Sequence, residues 1–401
     1  MKKTILIDEL CVGMTLSRVV ESSTKLQVKS QGAIKSQKTI DNLKNRGVVS
    51  VEVIVNEAVE SVRTDADAKN TAVASSVNKR ENQSNKVRSY DQQQKDLAAA
   101  DKLYTQARTV HNRFLKQLRS GHAPNFDELS NATQDIIDSV FDNREALSCL
   151  VMLKESDESL AQESLNCSIL MSMFAVHLDM SQSDIEDLTL AGLLMDIGMA
   201  LLPEDILHAD YSSLSEADIN VYKTHVEIGL ELVERYSDLP PLVEEVIAHH
   251  HERIDGTGYP KGETELSIPV QMASIVDTYN TMISKGQNKL AANSQQALEQ
   301  MHDMSSFDSP LIDKFVEAIG LYPVGTLVQL RSGKLALVVQ SNPSSQLHPK
   351  VIAFYHIKNK HYIPIKIIDL KRSSDKISFA VRPEEFNINL PKFFRTAVIP
   401  G

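Results

Sequence analysis

Between about residues 96 and 320, apolar residues return every three to four positions almost without a break. That is the spacing of helices with one buried stripe each, and so long a run of stripes can be hidden only by packing helix on helix. The segments inside the run carry their own start signals. In "SQSDIEDLTLAGLLMDIG", Ser183 and Glu186 read as a capping box ahead of an apolar stripe. In "LSEADINVYKTHVEIGLELVERY", Ser215 and Asp218 do the same, and Ile219, Tyr222, Val226, Leu230 and Val233 share a face. "LPPLVEEVIAHHHERI" and "IPVQMASIVDTYNTMIS" begin near prolines, which suit a first helical turn.

The texture differs on either side. Residues 1–56 read as a small α/β module: "TILIDEL" and "MTLSRVV" alternate as strands do, with a turn at Gly13, and "QKTIDNLKNRGVVSVEVIV" reads as a short helix, a stop at Gly47 and a strand. Residues 57–95 are polar, poor in large apolar side chains and without periodicity, which predicts a flexible linker leaning helical at its end. The helical domain is expected over 96–322, with its core at 155–322. From 323 to 401 the period falls to two: "TLVQLRSGKLALVVQS" reads as a hairpin turning at Ser332-Gly333, and three further short strands follow. The fold class is therefore mainly α, with a small α/β module in front and a small β-rich module behind.

Three scattered cysteines (Cys11, Cys149, Cys167) form neither a zinc spacing nor a disulfide framework and fit a reducing cytoplasm. Asp8 and Glu9 interrupt the first apolar stretch too early for a signal peptide, and no apolar run approaches the roughly 20 residues of a membrane span. A net charge of −11 argues against DNA or RNA as partner, while leaving room for a small anionic ligand at a local site.

Polar groups on buried stripes need partners. His250 lies three residues after Ile247 and seven after Val243, His251 four after Ile247, Asp277 four after Ala273, and His225 one turn after Tyr222, while Asp196 closes the stripe of "LTLAGLLMD". One such residue alone is more often a hydrogen-bonded core group or a cap. Five inward-facing imidazoles and carboxylates on four predicted helices suit a divalent metal such as Fe, Mn, Zn or Ni. Spacing alone leaves both readings open.

The segment "HHERIDGTGYP", with "LLMDIG" before it and "IVDTYN" after it, resembles the HD-GYP family, bacterial phosphodiesterases of the HD hydrolase type that cleave cyclic di-GMP. The resemblance covers about residues 155–325. "IDELCVGMTLSRVV" is similar to the small N-terminal domain that often accompanies the family, and "YPVGTLVQLRSGKLALVV" to its β-rich tail. The resemblance implies an HD-type helical fold and metal-assisted hydrolysis, with iron or manganese held by Asp196, His225, His250, His251 and Asp277. Arg253, Asp255, Gly256, Gly258, Tyr259 and Pro260 would form a loop meeting substrate or a protein partner.

The departures from the family pattern bear on chemistry. Glu163 in "AQESLNC" stands where the family has its first ligand histidine, and Ser159 where some members carry an acidic ligand. Met195 replaces the HD histidine, Met199 the lysine that follows, and Asn280 a second aspartate. "SKGQNK" replaces a basic phosphate-holding segment, leaving Lys289. A thioether is a poor ligand for Fe(II) or Mn(II), so Met195 and Met199 read as core filler. The implied picture is a member of cyclic di-GMP signalling with an impaired catalytic set around Asp196, and Glu163 as an altered ligand. At most one metal ion is tightly bound, and the protein acts by binding the cyclic dinucleotide or a protein. The alternatives are a residual phosphodiesterase with a remodelled metal pair, and a helical scaffold whose histidines are merely packed.

Overall fold

The computed structural model describes residues 2–7, 15–22, 32–33, 48–54, 90–153, 159–207, 209, 211–236, 239–284, 291–342 and 344–397. The chain divides into two compact units, 1–78 and 79–401. In the first, β1 (Lys2–Leu6), β2 (Thr15–Ser22), β3 (Gly32–Ala33) and β4 (Val48–Ile54) make an antiparallel sheet in the order β1-β4-β2-β3. β4 is central, with Val51 opposite both Ile5 and Val19 and fully buried. The helix expected around "QKTIDNLKNR", the turn at Gly13 and residues 57–89 of the expected linker lie outside the described residues.

The second unit opens with α1 (Tyr90–Arg119), whose first turn takes up the end of the stretch read as linker. It continues with α2 (Phe126–Met152), α3 (Leu160–His177) and α4 (Gln182–Leu194), then a 3-10 turn at Ile197–Leu201. After α5 (Glu204–Leu207) and a second 3-10 turn (Tyr211–Ser213) come α6 (Glu216–Lys223), α7 (His225–Tyr236) and α8 (Pro241–His249). The helices end with α9 (Ile268–Ile283), α10 (Ser294–His302) and α11 (Ser309–Ile319). α3 is apolar nearly all round, the composition of a helix with neighbours on every side, and it is buried from Ser164 to Ala175. Two of its buried polar side chains are paired internally: Ser168 Oγ donates to Thr189 O at 2.7 Å, and Asn166 Oδ1 accepts from Tyr104 at 2.8 Å.

Two expectations need correction. α4 is capped by Ser181, whose Oγ accepts from Asp184 N, and not by Ser183. The reason is local: Asp179 at φ 51 turns the chain, so that Ser181 is the last extended residue. The long helix read through "DINVYKTHVEIG" is split at Thr224, whose Oγ1 donates back to Val221 O. The Ser215–Asp218 capping box and the prolines at the starts of α8 and α9 are present as read.

After α11 an antiparallel sheet forms in the order β8-β7-β6-β5-β9, from β5 (Leu327–Leu330), β6 (Lys334–Gln340), β7 (Lys350–His356), β8 (His361–Asp369) and β9 (Ile377–Ala380). Gly333, at φ 74, turns the β5–β6 hairpin as the sequence predicts. α12 (Leu390–Ala397) lies against β7, its Phe393 ring stacked 4.0 Å from Phe354. Val328, Leu337 and Val351 belong to one apolar cluster with Leu147, Phe174 and Phe315, so sheet and helices share a core. The Ser341 amide donates to Glu145 Oε1 at 2.9 Å and ties β6 to α2. The molecule is mainly α with a β-rich C-terminal part. Among the described residues no helix is long and apolar enough to cross a membrane.

Candidate metal centre

Three helix ends and one mid-helix position bring the polar residues of the apolar stripes together. Asp196 follows the end of α4 and precedes the 3-10 turn. That turn passes so close to α7 that a Cβ on Gly198 would lie 1.9 Å from His225 O, which only glycine permits. The break at Thr224 puts His225 at the first residue of α7, fully buried. α8 ends at His249, leaving His250 as its C-cap and His251 just beyond. Asp277 reaches in from the middle of α9.

Donor atoms of Asp196, His225, His250 and His251 lie within 4.8 Å of one another. Asp196 Oδ1 is 3.6 Å from both His225 Nε2 and His250 Nε2, and His251 Nε2 is 3.1 Å from His225 Nε2. Donors held 2.0–2.2 Å from a common ion sit roughly 3.0–3.5 Å apart, close to these spacings. Backbone carbonyls orient the rings. His225 Nδ1 meets Tyr222 O at 2.7 Å and His250 Nδ1 meets Ile247 O at 3.1 Å, so each Nδ1 is the N–H and each Nε2 lone pair faces Asp196. His250 Nε2 is buried and makes no hydrogen bond among the described residues, with Asp196 at 3.6 Å too distant for one. A buried, unpaired lone pair beside a carboxylate and two more imidazoles fits a divalent cation and no apolar filler.

Electrostatics divide the three imidazoles: burial acts to lower His250, but Asp196 and Asp277 outweigh it and raise His250 above its ordinary value, whereas the other two are lowered. Burial pushes the imidazole of His225 down to about 4, against the pull of Asp196, and burial with the charge of His250 takes His251 well below the usual range. Both stay neutral near pH 7, the form that ligates. Burial acts to raise Asp196, but the imidazoles of His250 and His225 outweigh it and hold the carboxyl below its ordinary value. Asp277 stands 3.5 Å from His251 Nδ1, and burial together with the charge of Asp196 raises it to about 6.

The remaining candidates occupy other roles. His249 faces away, 3.6 Å from Glu263. Glu163, on α3, lies outside the quartet, although its charge reaches Tyr222. Met195 is fully buried in the main core, and Met199 packs with Leu202 and Ile206. Lys289 lies outside the described residues.

In the GYP loop, Tyr259 stacks on His251 at 4.5 Å and 24°. Asp255 is exposed and bonds Thr257 and Ser305, and Pro260 is exposed behind a cis bond. Gly256 adopts φ 75, and a Cβ on Gly258 would fall 2.5 Å from Arg253 N. Arg253, read from sequence as a loop contact, instead clamps the loop to α9. It donates to Glu252 O at 2.9 Å, to His250 O and Thr278 Oγ1 at 3.2 Å, and to Ser274. Sequence reading passed over Glu252, whose buried carboxylate accepts the amides of Lys261, Gly262 and Glu263 at 2.7, 3.2 and 3.0 Å. A charged residue directly after three histidines, with turn residues ahead, is the signal that could have found it.

Comparison with known proteins agrees with this geometry. An HD domain model matches residues 148–311, and a domain of unknown function, DUF3391, matches residues 2–129. The chain is 32% identical over 283 residues to the cyclic di-GMP phosphodiesterase PA4108 of Pseudomonas aeruginosa, covering 70% of this chain and 68% of that protein. It is 27% identical to a cyclic di-GMP phosphodiesterase of Thermotoga maritima, over 43% of this chain and 48% of the relative. It is 30% identical to the cyclic di-GMP phosphodiesterase response regulator RpfG of Xanthomonas campestris, over 35% and 38%. The match thus spans about two thirds of the first relative's length and less than half of the other two. With the quartet, the GYP turn and these matches in agreement, the chain belongs to the HD-GYP family of HD-domain proteins.

Proposed function

We propose that this chain works in bacterial cyclic di-GMP signalling as a metal-dependent receptor that binds the cyclic dinucleotide and hydrolyses it slowly or not at all. The observation that carries the reading is the quartet with its unpaired His250 Nε2, set directly beside a fully buried Met195. Asp196, His225, His250 and His251 would hold one divalent ion, iron or manganese by the mix of carboxylate and imidazole. When bound, such an ion neutralises phosphate charge and polarises the phosphoryl oxygen. Asp196 supplies the permanent negative charge, the two carbonyl-oriented imidazoles set direction, and Tyr259 covers the open face of His251. Met195, buried in the apolar core, puts a thioether in the sequence position where the family has its histidine, which does not support a second hard ion. Loss of one charge-stabilising group typically costs on the order of a hundred- to thousandfold in rate. Two buried thiols, Cys149 and Cys167, go with a cytoplasmic setting. The outer edge of the GYP turn, Asp255 and Pro260, is left for contact with a protein partner.

A second reading, a residual phosphodiesterase, is favoured by Asp277, because a carboxyl raised to about 6 suits proton transfer near neutral pH. Turnover of cyclic di-GMP with Mn(II) or Fe(II), run beside a calorimetric titration, separates the two. Binding with little linear product supports the receptor. A rate near the enzyme median of about 10 per second overturns it. In the receptor reading, Glu163→His, Met195→His and Met199→Lys together raise metal content and recover hydrolysis, while single changes do little.

A further inference from the structure

The cations around the quartet are unevenly committed. Arg253 spends its guanidinium on His250 O, Glu252 O, Ser274 and Thr278 and cannot turn toward a ligand without releasing the loop. Lys223 is different. It ends α6, is partly buried, and makes no ion pair or hydrogen bond among the described residues. Its Nζ lies 4.9 Å from the centre of the Tyr259 ring, whose plane stacks on His251. The layers Lys223, Tyr259 and His251 therefore place a positive charge at the lip of the candidate metal centre.

On the same wall, just before α6, Tyr211 is 44% exposed. It meets Tyr222 edge-on at 5.0 Å, and Tyr222 meets His225 edge-on at 5.3 Å. One ring thus separates an exposed aromatic face from a quartet imidazole. In a nucleotide, the ribose likewise separates base from phosphate. A lone exposed tyrosine is ordinary on a protein surface. Here it shares a wall with an uncommitted lysine, and the two present the chemistries a nucleotide requires: a cation for phosphate and an aromatic face for a base.

We infer that the segment from Tyr211 to Lys223 is the nucleotide-gripping rim of this site, with Lys223 binding a phosphate oxygen and Tyr211 stacking a base. The inference rests on the reading of the chain as a cyclic dinucleotide receptor. It assigns ligand selection to the stretch between α5 and α7.

The test is calorimetric titration of cyclic di-GMP into the Mn(II)-loaded full chain, with metal content measured for every variant. Lys223→Met is expected to weaken binding about ten- to hundredfold at unchanged metal content, with Lys223→Arg retaining most of it. Tyr211→Ala is expected to lose about five- to hundredfold, with Tyr211→Phe near wild type, because stacking needs the ring and not the hydroxyl. Wild-type binding with both truncations within threefold of it overturns the rim while leaving the receptor reading intact. Loss of metal in Lys223→Met also overturns it, by making Lys223 part of the scaffold. No binding by the wild type overturns both.

Discussion

His111 has no part in the candidate centre, yet it is among the least comfortable side chains in the molecule. It lies on α1, 1% exposed, and neither ring nitrogen has a hydrogen-bond partner among the described residues. Burial pushes its imidazole from 6.5 down to about 3. A folded value below the unfolded one means that the unfolded chain takes the proton first. The stability at stake is present above 6.5 and is lost as pH falls toward 3, by about 1.4 kcal/mol per pH unit for this one group. His111→Leu removes two unpaired buried nitrogens, and the expected outcome is a gain of about 1–3 kcal/mol at pH 7 with a shallower acid limb. Urea unfolding at several pH values checks both. The sequence held no sign of this residue, because in a thirty-residue helix the stripe does not say which polar position a neighbouring helix will cover.

At the scale of elements, the GYP loop is held by polar contacts from beneath as much as by its own glycines. The Glu252 carboxylate takes three amides from residues nine to eleven positions ahead, one oxygen serving Lys261 and Gly262 and the other Glu263. Glu252→Gln keeps the shape but turns one acceptor into a donor aimed at an amide. The expected cost is about 2–3 kcal/mol, felt as faster hydrogen exchange over 253–263 with α2 unaffected. Equal protection in wild type and variant would show that glycine geometry alone shapes the loop. The break at Thr224 and the early end of α8 at His249 belong to the same scale. Each puts a histidine at a helix end, where its ring comes within 3.6 Å of Asp196. Periodicity placed both histidines on the inner face but could not show that the helices stop there.

For the whole molecule, the candidate centre links separate parts of the fold, since its side chains come from the ends of α4 and α8, the start of α7 and the middle of α9. An ion bound there stabilises only the folded chain. At a Mn(II) level one hundred times the dissociation constant, the expected gain is about 2.7 kcal/mol, reversed by a chelator and absent in Asp196→Ala. The effect should be larger at pH 8 than at pH 5. Asp277 is raised from 3.8 to about 6, so the stability it lends the metal-free fold is complete below 3.8 and lost as pH rises through about 6, where a cation takes over its charge. Thermal unfolding with metal analysis checks this, and two ions per chain would contradict the single-ion reading. The sequence by itself determined the class of fold, the change from helix to sheet after Pro323, and the inward phase of Asp196, His225, His250, His251 and Asp277, because burial periodicity is written locally along the chain. Only the tertiary structure decided that the sheet shares the helical core, that Arg253 is a clamp and that Lys223, with its Nζ over the Tyr259 ring, stands at the lip of the site. Those outcomes depend on which distant backbone carbonyls and side chains come within a few ångströms, and no local pattern encodes that.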